Sequence, residues 1–315
     1  MIKEAVKFIK SGRIVAFPTE TVYGLGADAT NDEACKKIFK AKGRPSINPL
    51  IIHIKNIEQA QSLGEFNEYA RILSEKFWPG PLTLVLNLKK GSNIAASVLA
   101  GLSTIALRIP SHPLALELIN QSETFIAAPS ANPSGYISST ETSHVMEHFR
   151  QDDVYILEDS NKSTYGLEST IIDLSSSEPT LLRHGFITVE LLESVLNQKI
   201  KISNSLMEIK APGMLAKHYS PHTELRINAE NLQTNEIGLN FGDSKLCSNY
   251  SLNLSETGDL IEAAANLYSM LRKLDDYATL NKISKIAVAP IPFANIGFAI
   301  NDKLNRASYI YNYSN

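Results

Sequence analysis

The chain has 315 residues, 43% of them hydrophobic and 20% charged, with a formal net charge of −3. This balance argues against a disordered polyelectrolyte or a globally basic nucleic-acid binder, and the length suits two domains better than one. Cys35 and Cys247 stand far apart with no metal-ligand spacing, which disfavours a disulfide framework or structural zinc and suits a reducing compartment.

The first turn of chain, MIKEAVKFIKSG, places Ile2, Val6 and Ile9 on one helical face and stops at Ser11 and Gly12. Its scattered lysines leave no apolar core for a signal peptide, and no apolar run later in the chain is long enough to span a bilayer. A cytoplasmic protein with no membrane contact is expected. Residues 13–18 (RIVAFP) read as a buried strand, followed by a turn and a helix over 31–41 capped by Asn31 or Asp32. A strand is predicted over 50–54, one long helix over 56–77, a rigid WPGP turn at 78–81 and strands over 82–88 and 104–110. Ser111 is placed to cap a helix over 112–122. Beyond it come a strand over 125–129, a helix over 140–150, strands over 154–157, 169–174 and 179–183, and a helix over 188–197.

Helices interleaved with strands, several of them consecutive, predict an α/β (α+β) domain: a twisted mixed sheet with packed helices, over residues 1–202. Periodicity is lost over 200–223, so 203–223 reads as a linker. The pattern restarts with strands over 224–229 and 236–241, a helix over 258–278, a strand over 285–290 and a helix near 297–307. Residues 224–315 are thus expected to form a small Rossmann-like domain.

The familiar nucleotide and hydrolase signatures are absent: there is no P-loop, and GLG at 24–26 is too short for a dinucleotide fingerprint. His218 and His222 have a four-residue spacing, but Pro221 argues against the helix that would pair them on a metal. What remains is a set of polar residues near the carboxyl ends of apolar strands, where α/β sheets bind ligands: Thr21, His53, Arg108, Ser130, Asn132 and Arg183. Taken singly, these have ordinary readings: the hydroxyls as turn or cap residues, His53 as a satisfied core or edge side chain, and Lys42 and Arg44 as a solvated helix end. Arg108 is different, because a guanidinium within an apolar strand needs an anionic partner, which a ligand carboxylate or phosphate could supply. Four cations, Lys42, Arg44, Arg108 and Arg183, stand with short polar side chains at Thr21, Asn48, Thr104, Ser130, Asn132, Ser138 and Ser169. That set suits a polyanion such as ATP together with a small zwitterion.

FPTETVYGLGADA at 17–29, the KxR of KGRPSINPL at 42–50, WPGPLTLVL at 78–86, the SxN of APSANPSG at 128–135, and GLESTIIDL at 166–174 followed by LLRHG resemble the YrdC-like domain. APGMLAKHYSPHT at 211–223 and NIGFAINDKLNRAS at 295–308 resemble the linker and C-terminal domain of the two-domain threonylcarbamoyl-AMP synthase family. The resemblance spans nearly the whole chain in order. It implies a nucleotidyltransferase that joins L-threonine, bicarbonate and ATP into threonylcarbamoyl-AMP and pyrophosphate. That product would feed a downstream transferase complex that modifies tRNA beside the anticodon.

By motif position, the resemblance implies that Thr21, His53, Arg108, Ala128 and Ser169 line a threonine pocket, with Arg108 on the carboxylate and Ala128 acting through its backbone. Arg44, Asn48, Thr104, Ser130, Asn132, Ser138, Arg183 and Tyr219 would bind ATP, and Lys42 with Arg44 would carry the catalytic charge. Tyr219 would come from a linker folded over the cleft. Magnesium would be held through the ATP phosphates, with no protein metal site. One departure is His184, where the family often has proline after the arginine matched by Arg183. The alternative reading is an RNA-binding module of the same fold, against which stand the net charge and the lack of aromatic-interleaved basic patches. No stable nucleic-acid binding is expected. Carbamoyl transfer, as in larger proteins with a similar domain, would need segments that do not occur in this sequence.

Overall fold

The computed structural model describes residues 1–149, 154–203 and 218–308. The chain begins with α1 (Ile2–Lys10), β1 (Ile14–Phe17), β2 (Gly24–Asp28), α2 (Asp32–Lys42), β3 (Ile51–His53), α3 (Ile57–Leu63), α4 (Glu68–Phe77) and β4 (Leu82–Asn87). It continues through α5 (Ala96–Leu99), β5 (Thr104–Arg108), α6 (Pro113–Ser122), β6 (Ile126–Ala127), α7 (Thr142–His148) and β7 (Val154–Ile156). Next are β8 (Thr170–Asp173), β9 (Thr180–Arg183), α8 (Val189–Leu196) and β10 (Lys201–Ile202). The C-terminal part contains β11 (Glu224–Arg226), β12 (Glu236–Asn240), β13 (Leu252–Asn253), α9 (Leu260–Asn281), β14 (Lys285–Val288) and α10 (Gly297–Ala307).

The first ten strands form one mixed sheet in the order β10-β9-β8-β4-β5-β3-β6-β2-β1-β7. Side chains of β1 alternate between its faces: Ile14 and Ala16 join the core beneath α2, while Val15 and Phe17 join a second core with α1 and α6. The sheet is therefore covered on both sides, which explains why its strands read as continuous apolar runs. The remaining four strands form a separate, wholly parallel sheet, β11-β14-β12-β13. The mixed sheet with packed helices and the smaller C-terminal domain match the fold class expected from the sequence.

Three local expectations need correction. Residues 24–28 form a strand, where the sequence predicts no strand between the turn and the helix over 31–41. Its glycines are there for space: a Cβ on Gly26 would lie 2.7 Å from Ile126 Cγ2 and from a Phe17 ring carbon. The single helix predicted over 56–77 is two, α3 and α4. Gly64 between them is extended and bridges to Leu88, and a Cβ on it would lie 2.9 Å from Leu86 Cδ1. The cap of α6 is His112 rather than Ser111, its Nδ1 accepting from the Leu114 N–H at 3.3 Å. Asn31 caps α2 by accepting from the Ala34 N–H at 3.0 Å. Of the predicted linker, residues 204–217 lie outside the described residues.

Candidate active site

Strand pairing puts the site together. β3 and β5 run parallel, so His53 and Arg108 fall side by side, and Ala128 follows β6 with its N–H held by the Ile51 carbonyl at 2.9 Å. The loop before β2 is folded by Thr19, whose hydroxyl donates to the Val22 carbonyl at 2.6 Å and lies 2.8 Å from the Thr21 hydroxyl. These residues line one cavity together with Arg44, Ser130, Ser169, Arg183 and Tyr219.

Arg108 has an anionic partner within the protein. Its Nη2 donates to Glu20 at 2.6 Å and its Nε to the Gly80 carbonyl at 3.2 Å, with both charged side chains almost wholly buried. Sequence reasoning sought that partner in a ligand and missed Glu20, although it stands inside the PTET turn. His53 is 3% exposed, and its Nδ1 has no partner among the described residues. Burial, and then the neighbouring Arg108 charge, push its pKa down to about 3.

The cations divide into two kinds. Lys42 does not line the cavity. Its ammonium donates to the Ser130 carbonyl at 2.6 Å and to the Asn132 carbonyl, tying α2 to the SxN loop. Burial, then the nearby Arg44, hold its pKa well below that of an ordinary lysine. Arg44 lines the cavity and donates from Nη2 to the Pro49 carbonyl at 3.1 Å. Burial pushes its pKa down to about 10, and its Nε is buried without a partner among the described residues. Arg183 is braced on Ser169, donating from Nη2 to its carbonyl at 2.8 Å and to its hydroxyl at 3.0 Å.

The predicted nucleotide residues are placed unevenly. Asn48 is 1% exposed, and neither its Oδ1 nor its Nδ2 has a partner among the described residues. Asn132 is folded into its own loop, donating to the Pro133 and Tyr136 carbonyls at 2.9 Å. Ser138 donates to Glu168 at 2.6 Å. Thr104 begins β5, at the end away from Arg108, and does not line the cavity. Tyr219 is 1% exposed with φ +64° and an unpartnered hydroxyl among the described residues. Its ring stacks on Tyr268 at 5.7 Å and has the Lys303 ammonium 5.4 Å from its centroid.

Three more residues at the site escaped the sequence: Glu168 on the cavity wall, and Tyr268 and Lys303 from the C-terminal domain. Lys303 Nζ donates to the His184 carbonyl at 2.7 Å, so the turn after Arg183 is fixed from the other domain although proline is missing there. Glu168 was visible within GLEST as a carboxylate just before a strand. Nothing in the local sequence around Tyr268 or Lys303 marks them.

The buried histidines make stability depend on pH. Burial pushes His144 down to about 3 and His148 to about 4, each further opposed by the Arg272 charge, beside His53 at about 3. The unfolded chain takes up these protons near pH 6.5 while the folded chain does not, so stability is full above that value and falls as pH drops toward 3. His53 alone should remove about 2 kcal/mol between pH 7 and pH 5. Urea midpoints measured at the two pH values check this, and equal midpoints would contradict it.

A cation-lined cleft of this kind, on a mixed sheet closed from the side by a small parallel domain, defines an enzyme of the YrdC-like class. A family model described as telomere recombination (Sua5, YciO, YrdC) matches residues 7–185, and one described as threonylcarbamoyl-AMP synthase, C-terminal domain, matches residues 187–308. The chain is 40% identical over 326 residues to the threonylcarbamoyl-AMP synthase of Pyrococcus abyssi, covering 98% of this chain and 94% of that one. It is 38% identical to the enzyme of the same name from Bacillus subtilis, covering 98% and 92% of the two chains. The crystal structure of P. abyssi Sua5 complexed with L-threonine matches with a TM-score of 0.88 at 38% identity, covering 98% of this chain and 94% of that one. The chain belongs to the family of two-domain threonylcarbamoyl-AMP synthases.

Proposed function

We propose that the cleft joins L-threonine, bicarbonate and ATP into threonylcarbamoyl-AMP and pyrophosphate, with threonine at the His53–Arg108 end and ATP at the Arg44–Arg183 end. Threonylcarbamoyl-AMP synthesis is the activity of the family to which the chain belongs. The observation that carries the division of the cleft is a set of buried polar atoms with no protein partner among the described residues. His53 Nδ1 is one, at the first end; Arg44 Nε and the Tyr219 hydroxyl are others, at the second. Buried polar groups cost free energy unless hydrogen-bonded, so such a cluster suits a polar ligand.

On this reading Arg108 meets the threonine carboxylate through Nη1, its other two nitrogens being held by Glu20 and Gly80. Thr21, Ala128 and Ser169 shape the pocket around it. The free threonine amine adds to carbon dioxide with loss of a proton to solvent, or to bicarbonate with loss of water; the carbamate oxygen then attacks the α-phosphorus of ATP and displaces pyrophosphate. Pyrophosphate leaves toward Arg44 and Arg183, while Lys42 holds the Ser130 loop that faces the nucleotide. Tyr219, on the cavity wall, is assigned to ATP as well, and so are Asn48, Thr104 and Ser138, which do not line the cavity, on their motif positions alone. Positioning and charge neutralisation supply the catalysis, with no protein nucleophile.

Among the described residues no group of three or more His, Cys, Asp or Glu could hold a metal ion. A magnesium ion would therefore be held through the phosphates and water, and would offset their charge. No helix among the described residues is long and apolar enough to cross a membrane, and we place the enzyme in the cytoplasm. The labile product would pass to a tRNA-modifying transferase complex. The test is pyrophosphate release with all three substrates, which should stop when threonine alone is left out. Release independent of threonine, or RNA binding without turnover, would sink the reading.

A further inference from the structure

Helix α9 turns three polar side chains toward the first domain and the end of the linker. Tyr268, Arg272 and Asp275 fall at i, i+4 and i+7, one face of a helix. Arg272 donates to the Ile137 carbonyl and to Glu147, the latter at 3.1 Å. Asp275 accepts from the Tyr136 hydroxyl at 3.0 Å and from the His222 and Thr223 N–H groups at 2.9 and 2.8 Å.

Tyr268 differs because its contact lies on the wall of the active site. Its hydroxyl donates to Glu168 Oε2 at 2.9 Å, and Glu168 Oε1 accepts from Ser138 at 2.6 Å. Each oxygen of this buried carboxylate is thus held from a different domain. The contact is built into the backbone as well. Gly166, at φ +67°, lies so close to α9 that a Cβ would fall 2.6 Å from the Ala264 carbonyl oxygen and the Ala265 Cα. A side chain is excluded there both by the left-handed backbone and by the helix it touches. Leu167 then enters the core of the C-terminal domain, and Glu168 follows under the Tyr268 hydroxyl.

We propose that Tyr268 is a positioning residue for the nucleotide end of the cleft, fixing the Glu168 carboxylate so that Arg44 and Arg183 stay disposed toward the phosphates. The proposal rests on the assignment of ATP to that end. Glu168 shares the cavity wall with Arg44 and Arg183, and its charge reaches Lys42 and Lys303. A buried carboxylate that loses a hydrogen-bond donor turns to the nearest cation. Without the Tyr268 hydroxyl, Glu168 would pair with a cation needed by the phosphates and so compete with ATP.

The test is steady-state pyrophosphate release by the full-length chain, with KM measured separately for ATP and threonine. Tyr268→Phe removes one oxygen and keeps the packing. Its KM for ATP should rise about 10-fold, the worth of one hydrogen bond to a charged group, with the KM for threonine nearly unchanged. Calorimetric titration with a nonhydrolysable ATP analogue should show the same loss at a temperature where the variant, lowered in melting temperature by the lost hydrogen bond, is still fully folded. Ser269→Ala, on the same helix with its hydroxyl on the Asn266 carbonyl, should match the wild type. An unchanged KM for ATP in Tyr268→Phe overturns the proposal, as does an equal rise for both substrates or a loss that disappears when turnover is measured well below the variant's melting temperature. A wild type with no threonine-dependent turnover would instead strike the functional assignment.

Discussion

Arg108→Ala is expected to abolish threonine binding and threonine-dependent pyrophosphate release, and to destabilise the protein as well. The second effect follows from Glu20. Its side chain is 6% exposed, its Oε1 accepts from Arg108, and its Oε2 has no partner among the described residues. Removing the guanidinium leaves that carboxylate buried and alone, at a cost of about 3–5 kcal/mol. Loss of activity in the single variant would therefore mix two causes. The double variant Arg108→Met, Glu20→Gln separates them, because replacing both members of a buried pair with neutral groups is often nearly neutral. It should recover most of the stability, read by urea denaturation, and none of the threonine affinity, read by calorimetry. Wild-type threonine affinity in the double variant would refute the role given to Arg108.

Removal of residues 203–315 is expected to be the most damaging change of all. Val22, Tyr136, Ile137 and Leu167 of the first domain belong to the same buried cluster as Tyr268, Leu271 and Ile300 of the second. Exposing four such side chains costs at most about 6–12 kcal/mol, which is comparable to the entire stability of a typical domain. The shortened chain also loses Tyr268, Lys303 and Tyr219. Soluble yield, dye binding to exposed apolar surface, and turnover would report the outcome. A soluble fragment of residues 1–202 with full turnover would show that the second domain is dispensable.

Much of this was legible in the sequence because local rules and global fold agree. Apolar runs ending in proline or arginine mark strands that are covered on both faces, and Asn31 and Gly43 frame α2. The misreadings fall where tertiary crowding overrides local preference. No strand is predicted over 24–28, yet Gly24 and Gly26 let β2 pass beneath Phe17. Gly64 sits in a helical pattern, yet the approach of Leu86 and the bridge to Leu88 break the helix there. In the site, residues at strand ends could be picked out one at a time, but their partners could not. The Arg108–Glu20 pair joins positions 88 apart, and the Tyr268–Glu168 bond joins positions 100 apart. Neither pairing has a periodic signature. Lys42 could be recognised as part of a motif, but its grip on two backbone carbonyls depends on how the SxN loop folds back on α2.

The Glu20–Arg108 pair also makes the two ends of the cleft electrically unlike. At the amino-acid end the fixed charges cancel, so the field there is local and directional, with donors and acceptors but no net pull. At the other end Arg44 and Arg183 on the cavity wall outnumber the one carboxylate there, Glu168. A zwitterion gains nothing from a surplus of either sign, whereas a polyphosphate is drawn strongly by a positive one. On the proposed assignment, the cleft sorts its two substrates by net charge before either is recognised by shape.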